Sequence, residues 1–224
     1  MKFSIKKEIL LEALNKVSKA ISTKNVIPVL AGIKFHLTKK KLTLTASDND
    51  ITIETSIPCD NENIILKEEG SIIIQGKYIL DIVRKLPDPF INIEVVDDLK
   101  ILIYTENSEF NLNGISEKEY PSIELVESKN HIELSKTILK EIVNQTAFAT
   151  SIDENKAILN GINFNIIGNI LECNATDSYR LARKVIPLST SSEENMNIVI
   201  PSRNLVEFTR ILGEGDEKIE VHIF

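Results

Sequence analysis

The sequence predicts an α+β fold of two tandem domains, each a duplicated β-α-β-β-β unit with two helices on one face and sheets on the other. Three observations carry that prediction. The first is an internal repeat: residues 3–58 align with 132–187 at a constant offset of 129, and sixteen of the 56 pairs are identical. They include Leu10/Leu139, Gly32/Gly161, Phe35/Phe164 and Asp48/Asp177. The alignment resumes at an offset of 126 from Ile72/Ile198 to Val95/Val221, with seven of 24 pairs identical, among them Arg84/Arg210 and Leu86/Leu212. The second is a set of amphipathic segments of helical period, and the third is the alternating apolar pattern of half-buried strands between them.

Taken in order, residues 2–5 read as a strand and residues 6–21 as a helix, with Ile9, Leu10, Ala13, Leu14 and Val17 on one face. Strands are predicted at 32–38, 41–46 and 50–57, then at 71–75 before a second helix over 77–86 that Pro87 stops. Strands at 91–96, 100–105 and 109–113 complete the first copy. The second copy repeats the pattern, with helices at 135–150 and 201–212. The polar stretch 115–130, containing Pro121, reads as a linker and places the domains at 1–126 and 127–224. Copy two ends without counterparts of the last two strands of copy one. The chain is therefore expected to be part of a longer one, with its final strand, 218–224, left as a poorly paired edge.

Composition bounds the function. The 224 residues are 42% apolar and 26% charged, enough for a core without cross-links. No apolar run approaches the roughly 20 residues of a membrane helix, and the N-terminus lacks the features of a signal peptide. Cys59 and Cys173, far apart in sequence, fit a reduced intracellular protein. The net charge of −7 argues against a nucleic-acid partner when taken whole. Its distribution argues the other way. The predicted helical segments 6–24, 77–85, 135–150 and 201–212 carry 12 basic and 5 acidic residues, a sum of +7, whereas the rest of the chain sums to −14. A basic helical surface of this kind suits sequence-independent contact with phosphates.

No catalytic constellation emerges. His36, His131 and His222 lack metal-ligand spacing and are not expected to lie together, and the two cysteines do not coincide in the repeat. The run 70–77 approaches a P-loop but has one residue too many between its glycines and Tyr78 where a magnesium-binding hydroxyl is required. Asp48 and Asp177, the acidic pair that the repeat preserves within Ala-Ser-Asp and Ala-Thr-Asp, read as turn carboxylates accepting local backbone N–H bonds. No catalytic residue, metal or cofactor is predicted.

The segment Ala175-Thr-Asp-Ser-Tyr-Arg-Leu-Ala182, together with the repeat and the basic helices, resembles the bacterial sliding clamp, the beta subunit of the replicative DNA polymerase holoenzyme. The opening MKFSIKKEILLEAL, Ile27-Pro-Val-Leu-Ala-Gly-Ile33, Lys85-Leu-Pro87, Glu109-Phe-Asn-Leu112, Tyr120-Pro121, Leu159-Asn-Gly161 and Ile198-Val-Ile-Pro201 extend the resemblance over essentially all of the chain. It implies tandem DNA-clamp domains, three per full chain, closing head to tail as a homodimer into a ring whose helices line a hole for duplex DNA. It further implies a cytoplasmic, non-catalytic processivity factor that tethers the replicative polymerase and is served by a clamp loader and other clamp-binding peptides. By the same resemblance Lys24, Lys77, Arg84, Lys156, Arg203 and Arg210 face phosphates, and Leu159, Thr176, Ser178, Tyr179, Arg180 and Leu181 contribute to a partner-peptide cleft. Two departures stand out: Ala157 and Ile158 replace tyrosines of some members, and Ser178-Tyr179 replaces their Gly-His. The alternative reading is a protein-interaction scaffold of the same fold that never encircles DNA.

Overall fold

The computed structural model describes residues 1–21, 27–48, 50–97, 99–122, 131–189 and 195–223. The chain divides into two compact units, Met1–Ile123 and Glu124–Phe224. Unit one runs β1 (Lys2–Lys6), α1 (Lys7–Val17), β2 (Gly32–Leu37), β3 (Lys41–Ser47), β4 (Thr52–Pro58), β5 (Ile64–Glu68), β6 (Gly70–Gln75), α2 (Gly76–Lys85), β7 (Phe90–Val95), β8 (Lys100–Tyr104) and β9 (Glu109–Asn113). Unit two runs β10 (His131–Ser135), α3 (Lys136–Thr146), β11 (Gly161–Ile167), β12 (Ile170–Thr176), β13 (Leu181–Pro187), β14 (Met196–Pro201), α4 (Ser202–Ile211) and β15 (Lys218–His222).

The repeat is visible in the hydrogen-bond register. One sheet of unit one has the order β4-β3-β2-β6, and its counterpart in unit two has the order β13-β12-β11-β14. Phe35 faces Leu44 and Ile72 across its neighbouring strands, and Phe164 faces Cys173 and Ile198. Those pairs sit at the sequence offsets of 129 and 126. Phe35, Leu44, Phe164 and Cys173 are all at most 1% exposed, so the aligned positions hold the two cores. Burial lifts the Cys173 thiol to about 12, as expected of a cysteine used as a small apolar side chain.

The helices form where the apolar period places them. α1 buries Leu10, Ala13, Leu14 and Val17, and α3 buries Leu139, Ile142, Val143 and Thr146. Both are shorter than predicted, because each last turn tightens into a 3-10 segment, Ser18–Ala20 and Ala147–Ala149. Within unit one α1 packs along α2 and against β3 and β4; within unit two α3 packs along α4 and against β12 and β13.

Three expectations are corrected. Unit one contains an additional strand, β5, on the edge of the sheet β5-β1-β7-β8-β9. Most of it is exposed, and only Ile64 is buried, so it lacks the alternation that marks a strand in sequence. The final strand is not poorly paired: β15 bonds β10 in antiparallel register over five residues, although its other edge has no partner among the described residues. Finally, His131 and His222 lie together. They face each other across β10 and β15, with ring centroids 5.1 Å apart. In unit one Lys2 faces Glu94 and Phe3 faces Ile93, whereas in unit two His131 faces His222, two residues beyond the position the repeat assigns. A two-residue slip preserves the faces of both strands, so Ile132, Leu134, Ile219 and Val221 still point to the core.

Candidate functional site

The two features that bear on function lie on the helices of both units and on one end of the sheet of unit two. On α2, Lys77 and Arg84 are exposed; on α4, Arg203 and Arg210 are exposed at the positions equivalent by the repeat. These helices are held by their apolar sides, through Ile79 and Val83 in α2 and Leu205 in α4, which turns the basic positions outward. Arg84 donates to Asn15 Oδ1 at 2.9 Å, a neutral partner that leaves its charge uncompensated. Arg210 pairs with Glu207 one turn earlier, while Lys77 and Arg203 form no ion pair among the described residues. Lys156 is exposed in the 3-10 segment Glu154–Asn160 and is the one residue there with non-helical dihedrals. Lys24 lies outside the described residues.

Other basic residues of the helices serve the fold instead. Lys7 Nζ donates to the carbonyls of Arg84 and Leu86 at the end of α2. Lys140 Nζ donates to Gly213 O at 2.9 Å just past α4, and Lys136 pairs with Glu217 at 2.8 Å. A lysine at a helix C-terminus satisfies orphan carbonyls and the negative end of the dipole. The helical excess of positive charge therefore has two parts, one structural and one presented to solvent.

The second feature is the β12–β13 turn. Asp177 Oδ1 accepts from the backbone N–H groups of Tyr179 and Arg180, both at 3.0 Å, and its Oδ2 accepts from Arg180 Nε at 2.9 Å. These bonds hold the Asp177 carboxyl below its ordinary range, the Tyr179 N–H contributing most. Thr176 Oγ1 donates to Arg180 O at 2.7 Å and accepts from Ser178 N at 3.1 Å. Asp48 does the same service in unit one, accepting from Asp50 N and Ile51 N at 3.1 and 3.0 Å. Both duplicated aspartates are thus turn carboxylates, as their sequence context predicts. Ser178 adopts φ +81°, a left-handed conformation that explains why glycine suits this position. The turn presents Tyr179 and Leu181 at 96% and 69% exposure.

Beside the turn, Ile158, Leu159, Gly161, Ala175, Thr176 and Val199 form an open apolar hollow with Asn163 and Asn174 also in its lining. The structure brings Leu159 and Thr176 together in it; Ser178, Tyr179, Arg180 and Leu181 stand outside, in and just after the adjoining turn. Sequence reasoning missed Asn163 and Asn174, which face each other across β11 and β12. For Asn163 a signal was present, since asparagine recurs at alternate positions, 163 and 165, in an otherwise apolar strand. It also missed Phe148, whose ring lies 5.5 Å from the Arg180 guanidinium carbon. Among the described residues no group of three or more metal-ligating side chains gathers, and no helix is long and apolar enough to cross a membrane.

Comparison with known proteins agrees along the whole length. A family model described as DNA polymerase III beta subunit, N-terminal domain, matches residues 1–124, and that of the central domain of the same subunit matches residues 133–224. A beta sliding clamp of Halalkalibacterium halodurans is 42% identical over 226 residues, covering 99% of this chain and 60% of the relative. The beta sliding clamp of Bacillus subtilis is 37% identical over 226 residues, covering 100% and 60%. The crystal structure of the Bacillus subtilis DNA polymerase sliding clamp superposes with a TM-score of 0.97 at 37% identity, covering 100% of this chain and 60% of that one. The beta subunit from the DNA polymerase of Streptococcus pyogenes gives 0.94 at 32% identity, with the same coverage. The chain spans about 60% of the length of the curated relatives it matches. With both domain models matched in order and the repeat expressed in the strand register, the chain belongs to the DNA polymerase III beta subunit family, the bacterial sliding clamps.

Proposed function

We propose that this chain serves in a sliding clamp, a non-catalytic processivity factor that encircles duplex DNA and tethers the replicative polymerase and other DNA-processing proteins. The observation that carries the reading is the duplicated pair of exposed basic positions, Lys77/Arg203 and Arg84/Arg210, on helices of a chain whose remaining charge is acidic. Lysine and arginine can bind phosphates alone, and contact confined to the backbone is what sliding requires. Lys24 and Lys156 are assigned to phosphate contact as well. Leu159, Thr176, Ser178, Tyr179, Arg180 and Leu181 are assigned to a cleft for short partner peptides, the apolar hollow receiving their anchors. In this reading the polymerase and the clamp loader engage that cleft, and the functional assembly is a head-to-tail homodimeric ring.

The test is the salt dependence of binding to random-sequence duplex DNA. A variant with Lys77, Arg84, Arg203 and Arg210 all changed to alanine is expected to bind more weakly and to lose about 3–4 from the slope of log K against log salt, roughly one per phosphate contact. An unchanged slope would refute the assignment.

A further inference from the structure

The repeat aligns three positions on the packed helices of each unit, and the two copies hold them in different arrangements. Asn15 on α1 corresponds to Asn144 on α3, Arg84 on α2 to Arg210 on α4, and Asp81 on α2 to Glu207 on α4. In unit one Arg84 Nη2 donates at 2.9 Å to Asn15 Oδ1 on the helix packed alongside. Asp81, exposed and one turn before Arg84, forms no ion pair among the described residues. In unit two the choice is reversed. Arg210 pairs with Glu207 on its own helix, and the exposed Asn144 makes no side-chain hydrogen bond among the described residues. Each arginine thus has the same two kinds of acceptor at equivalent positions, an amide on the neighbouring helix and a carboxylate one turn back on its own.

The two acceptors differ in what they leave to a ligand. A carboxylate one turn away compensates the guanidinium charge, and a phosphate that takes the arginine must first displace it. An amide oxygen is neutral. It leaves the guanidinium its full charge and its other N–H donors, while removing part of the rotamer freedom before a phosphate arrives. Helix formation does not account for the asparagines, because alanine is a better helix former and the apolar faces of α1 and α3 are held by Leu10 and Leu14 and by Leu139 and Val143.

We infer that Asn15 and Asn144 are positioning residues, each drawing an arginine, Arg84 or Arg210, off the carboxylate of its own helix and presenting it fully charged to phosphate. The inference rests on the phosphate reading proposed above. Asp81 and Glu207 are the competing acceptors: a carboxylate that can take the arginine back offsets part of the cost of leaving a phosphate, so that contacts exchange readily as DNA moves past.

The experiment measures log K against log salt for the 224-residue chain on random-sequence duplex DNA, with arginine Nε–H and asparagine side-chain amide NMR signals recorded in parallel. Asn15→Ala is expected to lower the slope by about 0.9, one phosphate contact, and to shift the Arg84 Nε–H signal as the side chain moves to Asp81. Asp81→Asn is expected to restore the slope in the Asn15→Ala chain and to change it by less than about a third as much in the unaltered chain. A packing role alone would make Asp81→Asn act equally in both backgrounds, and misfolding would not be repaired by a substitution on another helix. In unit two, DNA added to the unaltered chain is expected to shift the Asn144 side-chain amide signal as Arg210 leaves Glu207. If Arg84→Ala leaves the slope unchanged, the phosphate reading fails and the inference falls with it. If Arg84→Ala lowers the slope and Asn15→Ala does not, if Asp81→Asn acts equally in both backgrounds, or if the Asn144 signal stays unmoved at saturating DNA, the inference is overturned while the phosphate reading stands.

Discussion

Replacing Ser178 by glycine should make unit two more stable, although it removes a side chain from the surface. Ser178 sits at φ +81°, where a residue with a Cβ is disfavoured by roughly 1–2 kcal/mol. Glycine has no such penalty, but its unfolded chain is more flexible, which takes back about 0.5–1 kcal/mol. The bonds of the turn are unaffected: the Ser178 N–H still reaches Thr176 Oγ1, and Asp177 still caps Tyr179 and Arg180. The net gain is then about 0.5–1 kcal/mol. For a unit of about 100 residues, with a urea m-value near 1 kcal/mol/M, the midpoint should rise by about 0.5–1 M. Urea titration followed by the amide signals of Ala175 and Ala182 on the flanking strands isolates unit two from unit one. Ser178→Ala keeps the Cβ and removes only the hydroxyl, so it should change stability by less than about 0.5 kcal/mol. A fall in the midpoint for glycine, or an equal rise for alanine, would refute the attribution to the left-handed backbone.

Other consequences can be measured in the same way. Gly161→Ala should destabilise unit two by about 1–3 kcal/mol in urea titration, because the new Cβ would lie 2.8 Å from Ile200 O and closer still to a Val199 methyl. Leu10→Ala and Leu139→Ala, equivalent by the repeat and at 0% and 2% exposure, should each cost about 2–5 kcal/mol in their own unit, as read from separate midpoints. The Asp60 carboxyl is lowered to about 2, chiefly by the Asn63 N–H. Its contribution to stability is therefore present above its ordinary 3.8 and is lost as pH falls through about 2. A carboxyl NMR titration of Asp60 with a midpoint near the ordinary value would contradict this bond network.

Much of this architecture could be read before any coordinates. That Phe164 and Cys173 stand where Phe35 and Leu44 stand was legible in the repeat, and the strand registers show that both pairs face each other. The roles of Asp48 and Asp177 followed from a carboxylate placed directly after a strand and before the next. What escaped had physical causes. β5 carries one buried residue and no alternation, so its strand character comes from pairing with β1 rather than from its own pattern. The approach of His131 and His222 depends on a two-residue slip that conserves the apolar face and so leaves no trace in hydropathy. Phe148 reads as one more apolar position at the end of a helix, and only the folded turn shows that it meets Arg180. The helical charge was legible as a sum but not in its division. Lys7 and Lys140 hold neighbouring helix ends through backbone carbonyls that no sequence pattern announces.

The proposed topological retention on DNA can be tested on a polypeptide joining this chain to the remainder of the Bacillus subtilis relative. The protein would be allowed to thread onto duplex DNA immobilised at one end, and the free end would then be either capped with a bulky protein or left open. Retention through a high-salt wash on capped DNA, with loss from open DNA, is the predicted result, since the wash screens phosphate contacts but cannot open a closed ring. Equal release from both, or equal retention on both, would contradict it.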